Sequence, residues 1–141
     1  AAQKIILRPG DPEEVAELSK LGLPESLVVF YRHYEPWNWL WQVRLYGCAD
    51  VLWLNEEAWP DLQRLGFFAF ASTSAGDVFG FDLNHLSARG LPQIVLFDHE
   101  MWSAFSDEEK LASGKLFADD LVDFLEKLAA AALDAEPSDW C

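Results

Sequence analysis

The chain has 141 residues, of which 51% are hydrophobic and 14% aromatic, and its formal net charge is −14. This length corresponds to one ordinary domain, and the apolar content is too high for a disordered chain. The charge argues against nucleic acid or an anionic membrane as a partner, because both are polyanions, and it favours a basic partner.

The cysteines and the apolar runs indicate the cellular setting. The chain holds two cysteines, Cys48 and Cys141, with no spacing typical of a zinc site. No apolar run approaches the roughly 18 residues of a membrane span, and no signal peptide is visible. We therefore expect a cytoplasmic protein with reduced thiols, with one domain over residues 1–133 and a mobile tail over residues 134–141.

Two helix patterns follow a possible short strand at residues 4–8. Residues 11–14 read DPEE, a capping residue followed by proline at the first helical position, and predict a helix that ends near Gly22. Leu23-Pro24 opens a second helix, which Pro36 ends. Its apolar stripe has helical spacing and comprises Leu27, Phe30, Tyr31 and Tyr34.

The apolar period changes to two after residue 38. Trp39, Trp41, Val43 and Leu45 would share the buried face of one strand. Residues 47–50 then predict a turn or bulge, and residues 51–54 a continuation of the strand. Residues 55–65 predict a short helix with Asn55 as its cap.

The last half of the chain predicts three strands and a closing helix. The strands cover residues 67–72, 78–83 and 93–98, and the turn at 74–77 is too short for a parallel crossover, so we expect antiparallel pairing. The helix covers about residues 115–133, and its apolar stripe is Phe117, Leu121, Phe124, Leu125 and Leu128. Strands and helices segregated in this way predict an α+β fold, with helices packed on one antiparallel sheet.

Several short motifs between about residues 12 and 130 resemble those of a known family. They are Leu23-Pro24 before Phe30-Tyr31, the strand 68–71 before Gly76-Asp77 and Phe81-Asp82, Val95 before Asp98-His99-Glu100, and the apolar stripe of the closing helix. In this order they resemble the SUKH superfamily, which includes yeast cell-wall assembly regulators and many bacterial immunity proteins. Residues 34–39 depart from it, because the family usually has an Asn-Gly-Gly-like turn there.

The resemblance implies a sheet of about six antiparallel strands, flanking N-terminal and C-terminal helices, and neither catalytic activity nor a cofactor. It implies a bacterial immunity protein that neutralises a toxin by binding and occlusion, and many such toxins are basic nucleases. The net charge of −14 independently fits a basic partner. One alternative is a regulatory or scaffold module of the cell-wall-regulator type, and another is a hydrolase that uses Asp98, His99 and Glu100.

Acidic and aromatic residues are the candidates for partner binding. The densest acidic regions predict a docking surface. The alternative is that these acids have no partner role, because acids are also favoured at helix starts and on solvated faces. Trp37 and Trp59 lie near predicted turns and are interface candidates, whereas Trp39 and Trp41 are expected in the core. The acidic candidates are Asp107, Glu108, Glu109, Asp119, Asp120 and Asp123.

A polar cluster raises the question of a metal or acid–base site. Asp98-His99-Glu100, together with Asp77, Asp82 and His85, offers suitable ligand types, but their spacing fits no standard signature. We interpret the cluster as a hydrogen-bonded strand end and Gly76-Asp77 as a hairpin turn, in which Asp77 bonds its own backbone. We thus expect no catalytic residue and no metal, a buried or semi-buried, unreactive Cys48, and structural roles for Leu23, Pro24, Gly76, Asp77 and Asp98.

Overall fold

A six-stranded antiparallel sheet organises the residues that the computed structural model describes, which are 7–36, 39–99 and 106–134, with the backbone alone for 7 and for 132–134. Strands β1 (Leu7–Arg8) and β2 (Glu35–Pro36) form a separate pair. The six strands of the main sheet lie side by side in chain order. They are β3 (Trp39–Leu40), β4 (Val43–Leu45), β5 (Phe67–Thr73), β6 (Val78–Leu86), β7 (Pro92–Phe97) and β8 (Lys115–Ala118).

Helices flank this sheet in the described ranges. They are α1 (Pro12–Lys20), α2 (Glu25–His33), α3 (Cys48–Trp53), α4 (Pro60–Arg64), α5 (Asp107–Ser113) and α6 (Leu121–Asp134), with a π-helical turn at Leu54–Ala58. The predicted α+β fold with one antiparallel sheet and flanking helices is therefore confirmed. None of the described helices combines the length and the apolar character that crossing a membrane requires.

The two N-terminal helices form where the sequence predicts them. The Asp11 side chain accepts hydrogen bonds from the backbone N–H groups of Glu13 (2.9 Å) and Glu14 (3.2 Å), and so caps α1. Gly22 follows α1 with φ 106°, a conformation that favours glycine. In α2, Leu27 and Tyr31 are buried as predicted, but Tyr34 lies beyond the helix end and is 54% exposed.

The single strand predicted from Trp39 is a hairpin instead. Trp41 has φ 57°, in the left-handed region, and the chain reverses there between β3 and β4. Trp39 therefore lies on an edge strand and is 38% exposed, so its expected place in the core is wrong. Trp41 is partly buried and packs against the core.

Residues 48–58 are helical, so the strand predicted at residues 51–54 is wrong. The apolar run is too short for its period to distinguish a strand from a helix. Asn55 is not a helix cap but a buried residue of the π-helical turn. Its side chain donates to the carbonyls of Val51 (2.9 Å) and Ala69 (2.8 Å) and accepts from the Ala69 N–H, which ties the turn to β5.

The closing helix begins later than predicted. Residues 115–118 form β8, whose Leu116 pairs with Val95 of β7, and α5 precedes it without having been predicted. The stripe of Leu121, Phe124 and Leu128 in α6 is buried, as expected. The predicted mobile tail lies outside the described residues from 135 onward.

Two apolar cores lie on opposite faces of the sheet, because alternate residues of β5 point to opposite sides. Phe68 and Phe70 join the main core with α1, α2, α3 and α6, whereas Phe67 and Ala69 join a second core with the π-helical turn and α4. The Phe124 ring lies 5.2 Å from the Phe70 ring, centroid to centroid, in an edge contact. This contact fixes α6, and the polar residues at its start, against the sheet.

Candidate functional site

A groove with one acidic wall lies beside the start of α6 and has a volume of about 550 Å³. The end of β6, the β6–β7 loop and Gln93 of β7 form one wall, and the segment from Asp119 into α6 forms the other. We call this feature the acidic groove. Its lining includes Ser87, Arg89, Gln93, Asp119, Asp120, Asp123 and Glu126.

Asp120 holds the two walls of the acidic groove together. Its buried carboxylate accepts hydrogen bonds from the Ser87 hydroxyl (2.8 Å) and from the N–H of Asp123 (3.0 Å), so that it caps α6. The Arg89 guanidinium lies 3.3 Å from both of its oxygens. Burial raises the pKa of Asp120, but these hydrogen bonds outweigh burial and hold the pKa below its usual value. Because Asp120 is buried, it positions the groove rather than offering its carboxylate to a partner.

Asp119, Asp123 and Glu126 present the remaining negative charge of the groove. Asp123 accepts the Asp119 N–H (3.0 Å), which lowers its pKa, and it lies 3.3 Å from the Lys127 ammonium. Asp119 and Glu126 are exposed. The groove thus offers the carboxylates of Asp119, Asp123 and Glu126 to a cation from outside.

The second predicted acidic region, at the start of α5, is largely committed to internal contacts. Asp107 forms a bidentate ion pair with Arg64, with N···O distances of 2.6 and 2.9 Å. Glu109 and Ser106 form a capping box, in which each side chain accepts from the backbone N–H of the other. Glu108 is exposed. Most of the carboxylates in this region therefore stabilise α5, and few of them are available to a partner.

An apolar pocket of about 100 Å³ lies on the other flank of α6, between α2, β2 and the sheet. We call this feature the apolar pocket. Helix α6 separates it from the acidic groove. Its lining is wholly apolar or aromatic and comprises Phe30, Tyr31, Tyr34, Pro36, Leu45, Phe70, Leu121 and Leu125.

The two tryptophans predicted at an interface have different outcomes. Trp59 is partly buried and packs against the second core, so most of its ring serves the fold. Trp37 lies outside the described residues. The large side chains that the structure leaves most exposed include Trp53 (55%) and Tyr34 (54%), which the sequence did not single out as interface candidates.

The predicted polar cluster separates into two places. Asp77, Asp98 and His99 lie together, with potential ligand atoms all within 4.8 Å of one another. The Asp82 carboxylate instead lies 2.8 Å from the His85 ring nitrogen Nδ1, and Glu100 is outside the described residues. The expectation that Asp77 bonds its own backbone is wrong, because its carboxylate accepts the N–H of His99 (3.1 Å).

The remaining motif residues have structural surroundings. Leu23 is buried, and the Pro24 carbonyl accepts the first hydrogen bonds of α2. Gly76 has φ 97° in the β5–β6 turn, as a hairpin turn requires. Cys48 is fully buried, and burial together with the nearby Glu35 raises the pKa of its thiol to about 12, which makes it a poor nucleophile as expected.

Sequence reasoning missed Ser87, Arg89 and Glu126 in the acidic groove and all of the apolar pocket. Arg89 is 31 residues from its partner Asp120, and no local pattern links two such positions. No model of a known protein family matches the chain, and no curated protein sequence matches it. The function must therefore be inferred from the geometry, which is that of an α+β domain in which one helix separates an acidic groove from an apolar pocket.

Proposed function

We propose that this chain is a non-enzymatic protein-binding domain that neutralises a basic toxin by covering it, as an immunity protein does. The observation that supports this proposal is the position of α6 between the acidic groove and the apolar pocket. Specific interfaces combine apolar anchor sites with charged surroundings, and α6 brings the two together.

The acidic groove supplies the attraction for a basic partner. Its lining carries four acids, Asp119, Asp120, Asp123 and Glu126, against one base, Arg89. Since Asp120 already neutralises Arg89, the other carboxylates act on the solvent side, and Lys127 offsets one of them only in part. A chain of net charge −14 extends this potential and steers a basic partner toward the surface.

The apolar pocket supplies the place where a partner is anchored. Its lining exposes apolar surface only, so a polar group that entered it would lose its hydrogen bonds to water. The volume of about 100 Å³ suits one aromatic or branched aliphatic side chain rather than a large metabolite. A basic protein with an exposed apolar side chain near its active groove therefore matches both flanks of α6.

The resemblance to the SUKH superfamily supports the same proposal. It implies a six-stranded antiparallel sheet with flanking helices, and the described residues have this arrangement. Bacterial members of that superfamily commonly bind toxins, and a nuclease toxin is basic because it must grip a polyanion. Occlusion of such a toxin requires tight binding and no chemistry.

If the gene beside this one encodes a toxin domain, association kinetics with that domain test the proposal. We expect the double variant Asp119→Lys/Asp123→Lys to associate at least about tenfold more slowly at low salt, because it reverses the field of the groove. The matched control is Glu56→Lys/Glu57→Lys, which makes the same charge change at two exposed residues of the π-helical turn.

Salt supplies the second arm of this experiment. We expect the association rate of the unaltered protein to fall steeply as NaCl is raised, because salt screens exposed charges. Equal rates for the two double variants, or an association rate that salt leaves unchanged, would show that the groove is not the docking surface. A neighbouring gene that encodes no toxin would favour the regulatory or scaffold module instead.

A further inference from the structure

A buried carboxylate lies behind one wall of the apolar pocket. Tyr34 and Pro36 line the pocket, whereas Glu35 between them does not. Successive side chains of an extended segment point to opposite sides, so Glu35 is directed away from the pocket. It is only 5% exposed, although it is a charged residue. Strand β2 therefore has the apolar pocket on one side and a buried acid on the other.

Contacts with β1 and with the start of α3 hold the Glu35 carboxylate in place. Arg8 is the partner of Glu35 in the β1–β2 pair, and its Nη2 atom lies 3.6 Å from Oε1 of Glu35. The Cys48 thiol is hydrogen-bonded to the carboxylate. A Cβ built on Gly47 would collide with Oε1, so the carboxylate lies directly against the backbone that precedes α3. The Glu35 side chain thus joins β2 to β1 and to the start of α3.

Other parts of the pocket lining adjoin the same carboxylate. Leu45 lines the apolar pocket and lies two residues before Gly47, which contacts Glu35. Tyr31 also lines the pocket, and burial, Cys48 and Glu35 together raise the pKa of its hydroxyl. Residues of α2, β2 and β4 therefore meet at the pocket on one side and at Glu35 on the other. Because the loss of a partner is costly for a buried charge, the position of this wall depends on the charge of Glu35.

The geometry points to Glu35 as a positioning residue of the apolar pocket, whose ionised carboxylate holds the pocket wall and whose protonation weakens binding there. The ionised carboxylate attracts the Arg8 guanidinium and accepts the hydrogen bond of the Cys48 thiol. A protonated Glu35 has no charge with which to attract Arg8, so the two-residue strand β1 then holds β2 less firmly. The wall at Tyr34 and Pro36 loosens as a result. This inference rests on the apolar pocket of the proposed function and adds a dependence on acid to it.

Further titratable groups face Glu35 from the surrounding helices. Burial and then Glu35 raise the pKa of Glu14 in α1, and Asp50 in α3 adds to this effect. Tyr31 and Cys48 both have raised pKa values, so they stay protonated in acid. Acidification therefore acts on the carboxylates of this cluster, and Glu14→Gln is needed beside Glu35→Gln to separate their effects.

The chain contains a matched control for the Arg8–Glu35 pair. Arg32 and Glu25 also form an ion pair with an N···O distance of 3.6 Å. The Glu25 side chain is 72% exposed, whereas that of Glu35 is 7% exposed. Glu25 lines neither the apolar pocket nor the acidic groove. The two pairs thus share their chemistry and distance and differ in burial.

An NMR titration of the full chain with benzene tests the inference, because benzene fits a small apolar cavity. At pH 7 we expect Glu35→Gln to weaken benzene binding at least about fivefold, and Glu25→Gln to leave it unchanged. Circular dichroism verifies that each variant is folded. The signals that report entry into the apolar pocket are the methyl groups of Leu45, Leu121 and Leu125.

The pH dependence of benzene binding separates a positioning role from a merely structural one. Carboxylates ordinarily take up protons near pH 4. We expect the affinity of the unaltered protein to fall about fivefold between pH 7 and pH 3.5, Glu14→Gln to retain this fall, and Glu35→Gln to abolish it. A variant that only destabilises the fold would keep the dependence. If Glu35→Gln does not fold, Arg8→Gln takes its place in both comparisons, because the Arg8 side chain is exposed.

Several results would overturn the inference and leave the proposed function untouched. They are equal binding by Glu35→Gln and Glu25→Gln, a pH dependence that Glu35→Gln keeps, and one that Glu14→Gln abolishes. Methyl groups that stay unshifted up to the solubility limit of benzene would overturn it together with the anchoring role of the pocket. Association kinetics with a toxin domain measure the acidic groove, so they can fail while every expectation for Glu35 is met.

Discussion

The starts of α5 and α6 are the two acidic regions that the sequence offers for docking, and the structure uses them differently. At the start of α5, Asp107 is paired with Arg64, and Glu109 belongs to the capping box. At the start of α6, the buried Asp120 makes most of the internal contacts, and Asp123 accepts the Asp119 N–H. Its exposed neighbours Asp119 and Glu126 face the acidic groove.

The difference teaches that acidic residues in a sequence do not measure the charge that a surface offers. An exposed carboxylate that is paired with Arg adds little stability and presents a neutral pair to a partner. A buried carboxylate that is fully hydrogen-bonded fixes a helix start and leaves its neighbours to act on solvent. The α6 region is therefore the better candidate for docking, although the sequence ranks the two regions equally.

The largest expected effect concerns the core residue that holds α6 in place. Phe124→Ala removes a fully buried ring in edge contact with the Phe70 ring, and we expect the free energy of unfolding to fall by about 3–5 kcal/mol. Urea denaturation followed by circular dichroism measures this change. Val122→Ala, at a partly exposed position of the same helix, is the control. Equal losses in the two variants would mean that α6 is not anchored through Phe124.

An intermediate effect separates the two acidic regions directly. Asp120→Ala removes the cap of α6 and leaves Ser87 and Arg89 without their partner, so we expect a loss of about 2 kcal/mol in the free energy of unfolding. Asp107→Ala breaks an ion pair between exposed side chains. We therefore expect its urea denaturation midpoint to lie close to that of the unaltered protein. The same urea experiment measures both, and a larger loss for Asp107→Ala would reverse the comparison.

The smallest expected effect is a dependence of the free energy of unfolding on pH. The folded pKa of Asp120 lies below its usual value, so its charge stabilises the protein above the unfolded pKa near 4. This stabilisation is lost as the pH falls through the folded pKa. Asp120→Asn keeps a capping side chain but cannot ionise. We therefore expect it to be less stable than the unaltered protein at pH 7, with the difference narrowing below about pH 4.

Unfolding free energies measured across this pH range test the expectation. Asp107→Asn is the comparison, because the pKa of Asp107 is also lowered, through its hydrogen bond with Arg64, but both side chains are exposed. The stability difference between Asp107→Asn and the unaltered protein should change less with pH, because solvent screens the Asp107–Arg64 pair. A difference between Asp120→Asn and the unaltered protein that stays constant down to low pH would show that the Asp120 charge does not stabilise the fold.

Local chemistry made much of the fold predictable. Asp11 and Pro12 mark the start of α1, Gly76 marks the β5–β6 turn, and the alternation of residues 78–83 marks β6. The predictions failed where a short apolar run fits two periods, as at residues 51–54, or where one residue reverses the chain, as at Trp41.

The candidate sites were predictable only in part. The sequence named Asp119, Asp123, Asp77, Asp98 and His99 as polar residues of interest, but it could not say which of them meet. Arg89 joins Asp120 only because the β6–β7 loop lies beside the start of α6. The apolar pocket forms between elements far apart in the chain, so no window of sequence contains it.

The sequence by itself determined the class of fold and the sign of the charge, because turn residues, hydrophobic period and composition act locally or as sums over the chain. Tertiary structure decided which carboxylates bind internal partners and which face the acidic groove. It also decided that Asp77 lies opposite Asp98, because strand register sets such distances and no single segment encodes it.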